Sequence, residues 1–182
     1  MLDIRKNSQI STPNSQISIA PVAEEFYKRG SADKNKEEEL LQFLSFIVDD
    51  EEYTLELSEI TEVIKTRDIT DVPHVPPFIA GIISLRGEII YIMNLQKRLG
   101  LKDKEISPET RIIIAKHDGI KIGLIVDKIM GAIRVNPKEI ESTSNVQGSA
   151  GIEFIRGMVH HEDRLIMLLN LPMLLAMKDT SL

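Results

Sequence analysis

The chain of 182 residues has no cysteine and no tryptophan, and its aromatic content is only 4%. Without cysteine there is no disulfide, no thiolate nucleophile, no iron–sulfur cluster and no cysteine-ligated zinc. The absence of cysteine is typical of a protein in a reducing compartment, so we expect a cytoplasmic one. Because aromatic residues are scarce, aliphatic side chains must fill the interior.

Long apolar runs and basic clusters are missing as well. No stretch approaches the roughly 20 apolar residues of a transmembrane helix, and residues 1–16 lack the apolar core of a signal peptide. We therefore expect a soluble protein without direct membrane contact. The 22 Lys and Arg residues are outnumbered by 28 Asp and Glu residues, which gives a net charge of −6. Since nucleic-acid-binding domains usually carry a basic stripe, we expect no nucleic-acid partner.

The chain does contain β-rich apolar segments separated by turn signals. The clearest is Phe78–Leu95, in which two apolar runs flank Arg86 and Gly87, a pattern that predicts two paired strands. Leu41–Val48 and Tyr53–Leu57 predict a second hairpin with an acidic tip. These segments favour a mainly β fold.

Other segments surround or interrupt the expected strands. Residues 1–41 are rich in Ser, Asn, Gln and charge, and we expect a flexible or partly helical leader there. Residues 177–182 are expected to be a tail. Ser58–Ile64 places three apolar residues at helical spacing, which predicts a single helical turn that leads into a strand.

The two halves of the chain resemble each other. A shift of 76 positions lays Phe78–Leu95 on Phe154–Leu171 without a gap, with six identical residues. A shift of 69 positions lays Phe43–Ile64 on Ile112–Ile133, with fewer identities. Internal repetition of this kind predicts a fold built twice from the same unit.

Each repeat is small, and this limits what it can form alone. We expect two lobes of about five strands, at residues 42–101 and 110–176, with an exchange of strands between them left open. A curved sheet of that size closes into a barrel, which removes exposed edges. Because each lobe is marginal in size, the two are expected to pack together.

Few residues point to catalysis or metal binding. Asp127 lies in an apolar run, where it is either a barrel-edge residue or a buried, paired carboxylate, and a catalytic role is a further option. His160 and His161 are candidate metal ligands, although adjacent strand residues point to opposite faces. A small β-barrel enzyme, or a metal- or ligand-binding protein using Asp127 or His160/His161, is therefore the alternative hypothesis. We expect no enzyme, no cofactor and no metal.

Arg86 stands at an otherwise apolar turn. Simple solvent exposure accounts for many such residues, but arginine is also favoured at protein interfaces, where its planar guanidinium offers five donors. The repeat keeps Arg86 and Gly87 in the first copy only, since the second copy has Glu162 and Asp163. The difference favours a binding function for Arg86.

Five motifs stand out along the chain: FLSFIVDDEEYTLEL, EITEVI, FIAGIISLRGEIIYIMNL, IGLIVDKIMGAIRV and FIRGMVHHEDRLIMLLNL. Together they resemble the CheW family, the coupling proteins of bacterial chemotaxis, over residues 42–176. The resemblance implies two pseudo-symmetric five-stranded SH3-like barrels with short helical turns. It also implies a non-enzymatic chemosensory adaptor at membrane-associated receptor arrays. Its expected partners are the cytoplasmic tip of methyl-accepting receptors and the regulatory domain of a CheA-like histidine kinase.

Matched position by position, the resemblance implies a receptor-binding groove between the barrels. The expected groove residues are Leu44, Leu57, Ile60, Glu62, Val63, Arg86 and Ile129. Their apolar members would also suit a core, and both uses fit a groove wall, since an apolar helix face needs an apolar counterpart. Arg86 falls on the family arginine linked to receptor coupling, and an ion pair between Glu62 and Arg86 is expected. Kinase contacts are implied at a barrel-end loop, at Asn145, Val146 and Gln147.

Overall fold

The structure is a computed structural model that describes residues 39–143 and 151–176. The kinase contacts expected at Asn145, Val146 and Gln147 lie outside the described residues. The strands are β1 (Leu41–Val48), β2 (Glu51–Glu56), β3 (Ile60–Lys65), β4 (Ile79–Leu85), β5 (Glu88–Asn94), β6 (Arg111–His117), β7 (Ile120–Val126), β8 (Lys128–Val135), β9 (Ile155–His161) and β10 (Arg164–Leu169). The helices are α1 (Leu95–Arg98) and α2 (Leu171–Leu175).

The strands form two five-stranded sheets. The first sheet has the order β8-β1-β2-β10-β9, and the second sheet has the order β3-β6-β7-β5-β4. Neighbours pair antiparallel except β2 with β10 and β5 with β7, which are parallel. Each sheet therefore combines strands from both halves of the chain, so residues 42–101 and 110–176 do not each form one sheet. The structure therefore contains an exchange of strands between the two lobes, which the sequence left open.

The two sheets are copies of one another. A shift of 69 carries β1, β2 and β3 onto β6, β7 and β8, and a shift of 76 carries β4, β5 and α1 onto β9, β10 and α2. Under this exchange the order of the first sheet becomes that of the second. Even the caps repeat, because the side chains of Asn94 and Asn170 accept a backbone N–H in the first turn of α1 and α2. The predicted fold class, two pseudo-symmetric five-stranded units, is confirmed.

Four hairpins share one kind of turn. Each has two residues between its strands, and both residues have positive φ, as in the type I′ turn whose twist matches paired strands. The turn residues are Asp49-Asp50, Arg86-Gly87, Asp118-Gly119 and Glu162-Asp163. His160 and His161 lie just before the last of these turns, as the final residues of β9.

The segment Ser58–Ile64, predicted as a single helical turn that leads into a strand, contains both, and the strand takes the larger part. A 3₁₀ turn covers only Leu57–Glu59, and β3 begins at Ile60. A bulge in β3 between Ile60 and Glu62 puts one extra residue into the strand. The bulge lets Ile60 and Val63 both be buried at a spacing of three, which imitated a helix in the sequence.

The core consists of three apolar clusters, one inside each barrel and one between them. On β6, Ile112 and Ile114 belong to the cluster inside the second barrel, whereas Ile113 and Ala115 belong to the largest cluster, which draws on both sheets. Because both faces of such a strand are buried, it reads as a continuous apolar run. Each barrel thus depends on the other to cover its outer face.

Arg98 on α1 ties the two units together. Its guanidinium carbon lies 4.2 Å from the ring centre of Phe78 and 4.5 Å from that of Phe154, which are equivalent residues of the repeat. Its Nη2 donates to the carbonyl of Ala176 at 2.7 Å, at the end of α2. Burial lowers the pKa of Arg98 from its ordinary value, and the two rings and the carbonyls stabilise the cation.

Candidate partner-binding groove

The five apolar residues expected in the groove come together at the seam between the sheets. Leu44, Ile60 and Val63 are buried, with 4%, 9% and 9% of their surface exposed. Leu57 and Ile129 are half-buried and pack against the same cluster. Ile60 and Ile129 are also equivalent residues of the repeat. Leu57 and Ile129 thus offer accessible apolar surface, while Leu44 supports it from within the core.

The expected ion pair between Glu62 and Arg86 is present. Nη2 of Arg86 lies 3.2 Å from Oε2 of Glu62, and 65% of the Arg86 side chain is exposed against 17% of the Glu62 side chain. Glu62 lies on β3, and Arg86 lies in the turn after β4. Since β3 and β4 are the two edges of the second sheet, the pair joins these edges. The first sheet has Gly131 and Glu162 at the same places, and a glycine offers no partner.

A second charged group borders the apolar residues on another side. Nη2 of Arg156 on β9 lies 2.6 Å from Oε1 of Glu56 at the end of β2. Glu59 follows as the last residue of the 3₁₀ turn, just before Ile60. Burial raises the pKa of Glu59, and the Glu56 carboxylate raises it further, against smaller lowering effects of Arg156, His117 and a hydrogen bond with the Glu56 backbone. Glu59 was not among the residues expected from the sequence, although a carboxylate between two groove residues was a signal.

Asp127 connects distant parts of the scaffold. Its Oδ2 accepts the backbone N–H of Asp49 at 2.9 Å, and its Oδ1 accepts Nε2 of Gln96 at 2.8 Å. Its own N–H donates to the carbonyl of Ile47 at 3.0 Å. Both carboxylate oxygens therefore hold structural partners on the β1–β2 turn and on α1. This environment does not favour a catalytic role for Asp127.

The two histidines lie opposite residues of the neighbouring strand in their hairpin. His160 pairs with Leu165 across the hairpin, and His161 pairs with Arg164. In residues 39–143 and 151–176, no three His, Asp or Glu side chains come together as a metal site would require. Within the same ranges, no helix is long and apolar enough to cross a membrane. The alternative hypothesis of a small enzyme or metal-binding protein is not favoured.

The arrangement has the features of a binding surface. It consists of an apolar seam with ion pairs on two sides, and such a surface suits the apolar face of a helix. Residues 42–179 match the CheW-like domain. The chain belongs to the CheW family. It is therefore a chemotaxis protein of the coupling class, as its motifs indicated.

Relatives from this family cover most of the chain's length. It is 37% identical over 126 residues to the chemotaxis protein CheW of Bacillus subtilis, which covers 69% of this chain and 80% of the relative. It is 31% identical over 150 residues to the chemotaxis protein CheW of Helicobacter pylori, covering 81% and 90%. The crystal structure of the scaffolding protein TtCheW from Thermoanaerobacter tengcongensis superimposes with a TM-score of 0.72 at 33% identity, covering 79% and 97%.

Proposed function

We propose that this chain is a non-enzymatic cytoplasmic adaptor that couples methyl-accepting chemotaxis receptors to a CheA-like histidine kinase in receptor arrays. The observation that carries the proposal is an exposed arginine, held by an ion pair, at the edge of an apolar seam between two barrels. Membership of the CheW family supports the same role. The chain joins no membrane itself and reaches the arrays through its partners.

The receptor tip, a helical hairpin, binds in the groove formed by the seven expected residues. Leu57, Ile60 and Ile129 contact the apolar face of a receptor helix, with Leu44 and Val63 supporting them. Arg86 donates to the helix from the rim. Its ion pair with Glu62 restricts the guanidinium, so that less side-chain entropy is lost when the receptor binds.

The kinase is recognised by other residues of the chain. Its regulatory domain contacts Asn145, Val146 and Gln147, none of which belongs to the receptor-binding set. Two separate surfaces are what an adaptor needs, because it must hold both partners at once.

Arg86→Ala tests the groove, and Glu162→Ala is its matched control. The two residues are equivalent in the repeat and take the same left-handed conformation, with φ of 51° and 48°. Both variants therefore place alanine in the same turn position. Binding of a receptor tip fragment from the same genome is measured by calorimetry. We expect Arg86→Ala to weaken binding about 10- to 30-fold, as loss of an interface arginine does, and Glu162→Ala to bind as wild type. Equal affinities of the two variants would contradict the proposal.

A further inference from the structure

We infer that Glu59 determines the specificity of the groove, by selecting a receptor helix that carries a Lys or Arg beside its apolar face. The inference rests on the proposed function, because it names the chemistry of the partner at the same groove. It assigns a role to a residue outside the set implied by the family resemblance. Three observations support it. They are the position of Glu59, its lack of an ion-pair partner in the described residues, and the opposite charge of the equivalent residue in the repeat.

Glu59 lies where a bound helix would pass. It is the last residue of the 3₁₀ turn that begins at the groove residue Leu57, and it directly precedes the groove residue Ile60. Half of it is buried, and the charged groups that face it come from three strands: Glu56 from β2, Arg156 from β9 and His117 from β6. These strands belong to both sheets, so the carboxylate sits at the seam itself.

Glu59 differs from the other groove carboxylates in its pairing. Glu62 is held by Arg86, and Glu56 is held by Arg156. Glu59 makes no ion pair with any residue in the described ranges, although it is half-buried. Burial and the Glu56 carboxylate raise its pKa by more than Arg156, His117 and a hydrogen bond with the Glu56 backbone lower it, so its charge is compensated only in part in the free protein. A cation supplied by the partner would compensate it.

The repeat places an oppositely charged residue at the position equivalent to Glu59. The residue equivalent to Glu59 is Lys128, which stands beside Ile129 just as Glu59 stands beside Ile60. Nζ of Lys128 already lies 2.8 Å from Oε1 of Glu109. The groove therefore carries opposite charges at its two equivalent positions, and in residues 39–143 and 151–176 only the basic one has an ion-pair partner. A helix with a basic residue at one end of its apolar face fits in one orientation only.

The test measures binding of the same tip fragment to Glu59→Gln and Glu59→Lys at about 50 and 200 mM salt. We expect Glu59→Gln to weaken binding about 3- to 10-fold and to reduce its salt dependence, because one charge pair is lost. Glu59→Lys should weaken it further. Glu139→Lys is the control, since Glu139 is an exposed residue beyond the far end of β8 from Ile129. A purely structural role of Glu59 would leave the salt dependence unchanged.

A charge exchange completes the test. Each Lys and Arg of the tip fragment is changed singly to Glu, and each fragment is measured against Glu59→Lys. Restored binding of one fragment supports the inference, and restoration by none overturns it. Wild-type affinity of Glu59→Gln, with Arg86→Ala still weakened, overturns the inference and leaves the proposed function standing. Wild-type affinity of both variants overturns the two together.

Discussion

The buried ion pair between Glu52 and Arg164 allows a quantitative stability prediction. Glu52 on β2 is 7% exposed, and Nη1 of Arg164 on β10 lies 3.0 Å from each of its carboxylate oxygens. The hydroxyl of Ser45 also donates to the carboxylate. Arg164→Met keeps the apolar stem but leaves the charge of Glu52 with Ser45 alone.

The size of the effect follows from the burial of the two partners. Removing one partner of a fully buried ion pair costs about 3–5 kcal/mol, because a charge remains without its counter-ion. The Arg164 side chain is 38% exposed, so water reaches part of the vacated space. We therefore expect Arg164→Met to lose about 2–3 kcal/mol of unfolding free energy, which lowers the melting temperature by about 5–10 °C.

The repeat supplies a matched control. Lys121 and Glu88 occupy the places of Glu52 and Arg164 in the other sheet, with the charges reversed, and they also form an ion pair. Their side chains are 30% and 58% exposed, so water compensates either charge. Urea denaturation followed by circular dichroism should give Glu88→Gln a midpoint close to wild type. Equal losses in Arg164→Met and Glu88→Gln would refute the reasoning from burial.

Three further predictions concern stability. Gly123→Ala should lower the free energy of unfolding by about 1–3 kcal/mol, because the new Cβ would lie 2.5 Å from Ile92 Cδ1 and 2.8 Å from Ile112 Cγ2. An unchanged midpoint in urea denaturation would contradict this packing. Asp163→Gly should raise the free energy of unfolding by about 0.5 kcal/mol, since the φ of Asp163 is +63°, which favours glycine. A lower melting temperature would contradict the left-handed conformation of this turn residue. Glu59→Gln should raise the melting temperature at neutral pH, where the raised pKa of Glu59 penalises its ionised form. The gain should disappear as acid protonates the wild-type residue, and a gain independent of pH would contradict the assignment.

The repeat made much of the fold predictable from the sequence. The shift of Phe78–Leu95 onto Phe154–Leu171 reproduces two strands, a turn and a helix in register, down to the capping residues Asn94 and Asn170. Local pattern suffices there because each hairpin is closed by its own turn. The partners of each hairpin in the sheet were beyond prediction, since β2 and β10 are joined by contacts far apart in sequence.

The remaining differences have local physical causes. The bulge in β3 shifted the alternation that normally reveals a strand, so Ile60 and Val63 imitated a helical spacing. The hydrogen-bond partners of Asp127 are 78 and 31 residues away, at Asp49 and Gln96, and no pattern along the chain reports them. The surroundings of Glu59 could not be read along the chain, because the charged groups that face it come from three strands.

The central claim is that the seam between the barrels binds the receptor tip. Amide chemical shifts of the isotope-labelled chain, followed by NMR while the tip fragment is added, test it most directly. The account predicts that the largest changes fall on Leu57, Ile60, Val63 and Arg86, and on Ile129 across the seam. Changes confined to residues away from the seam, with the amide shifts of these five residues unchanged, would contradict binding at the seam.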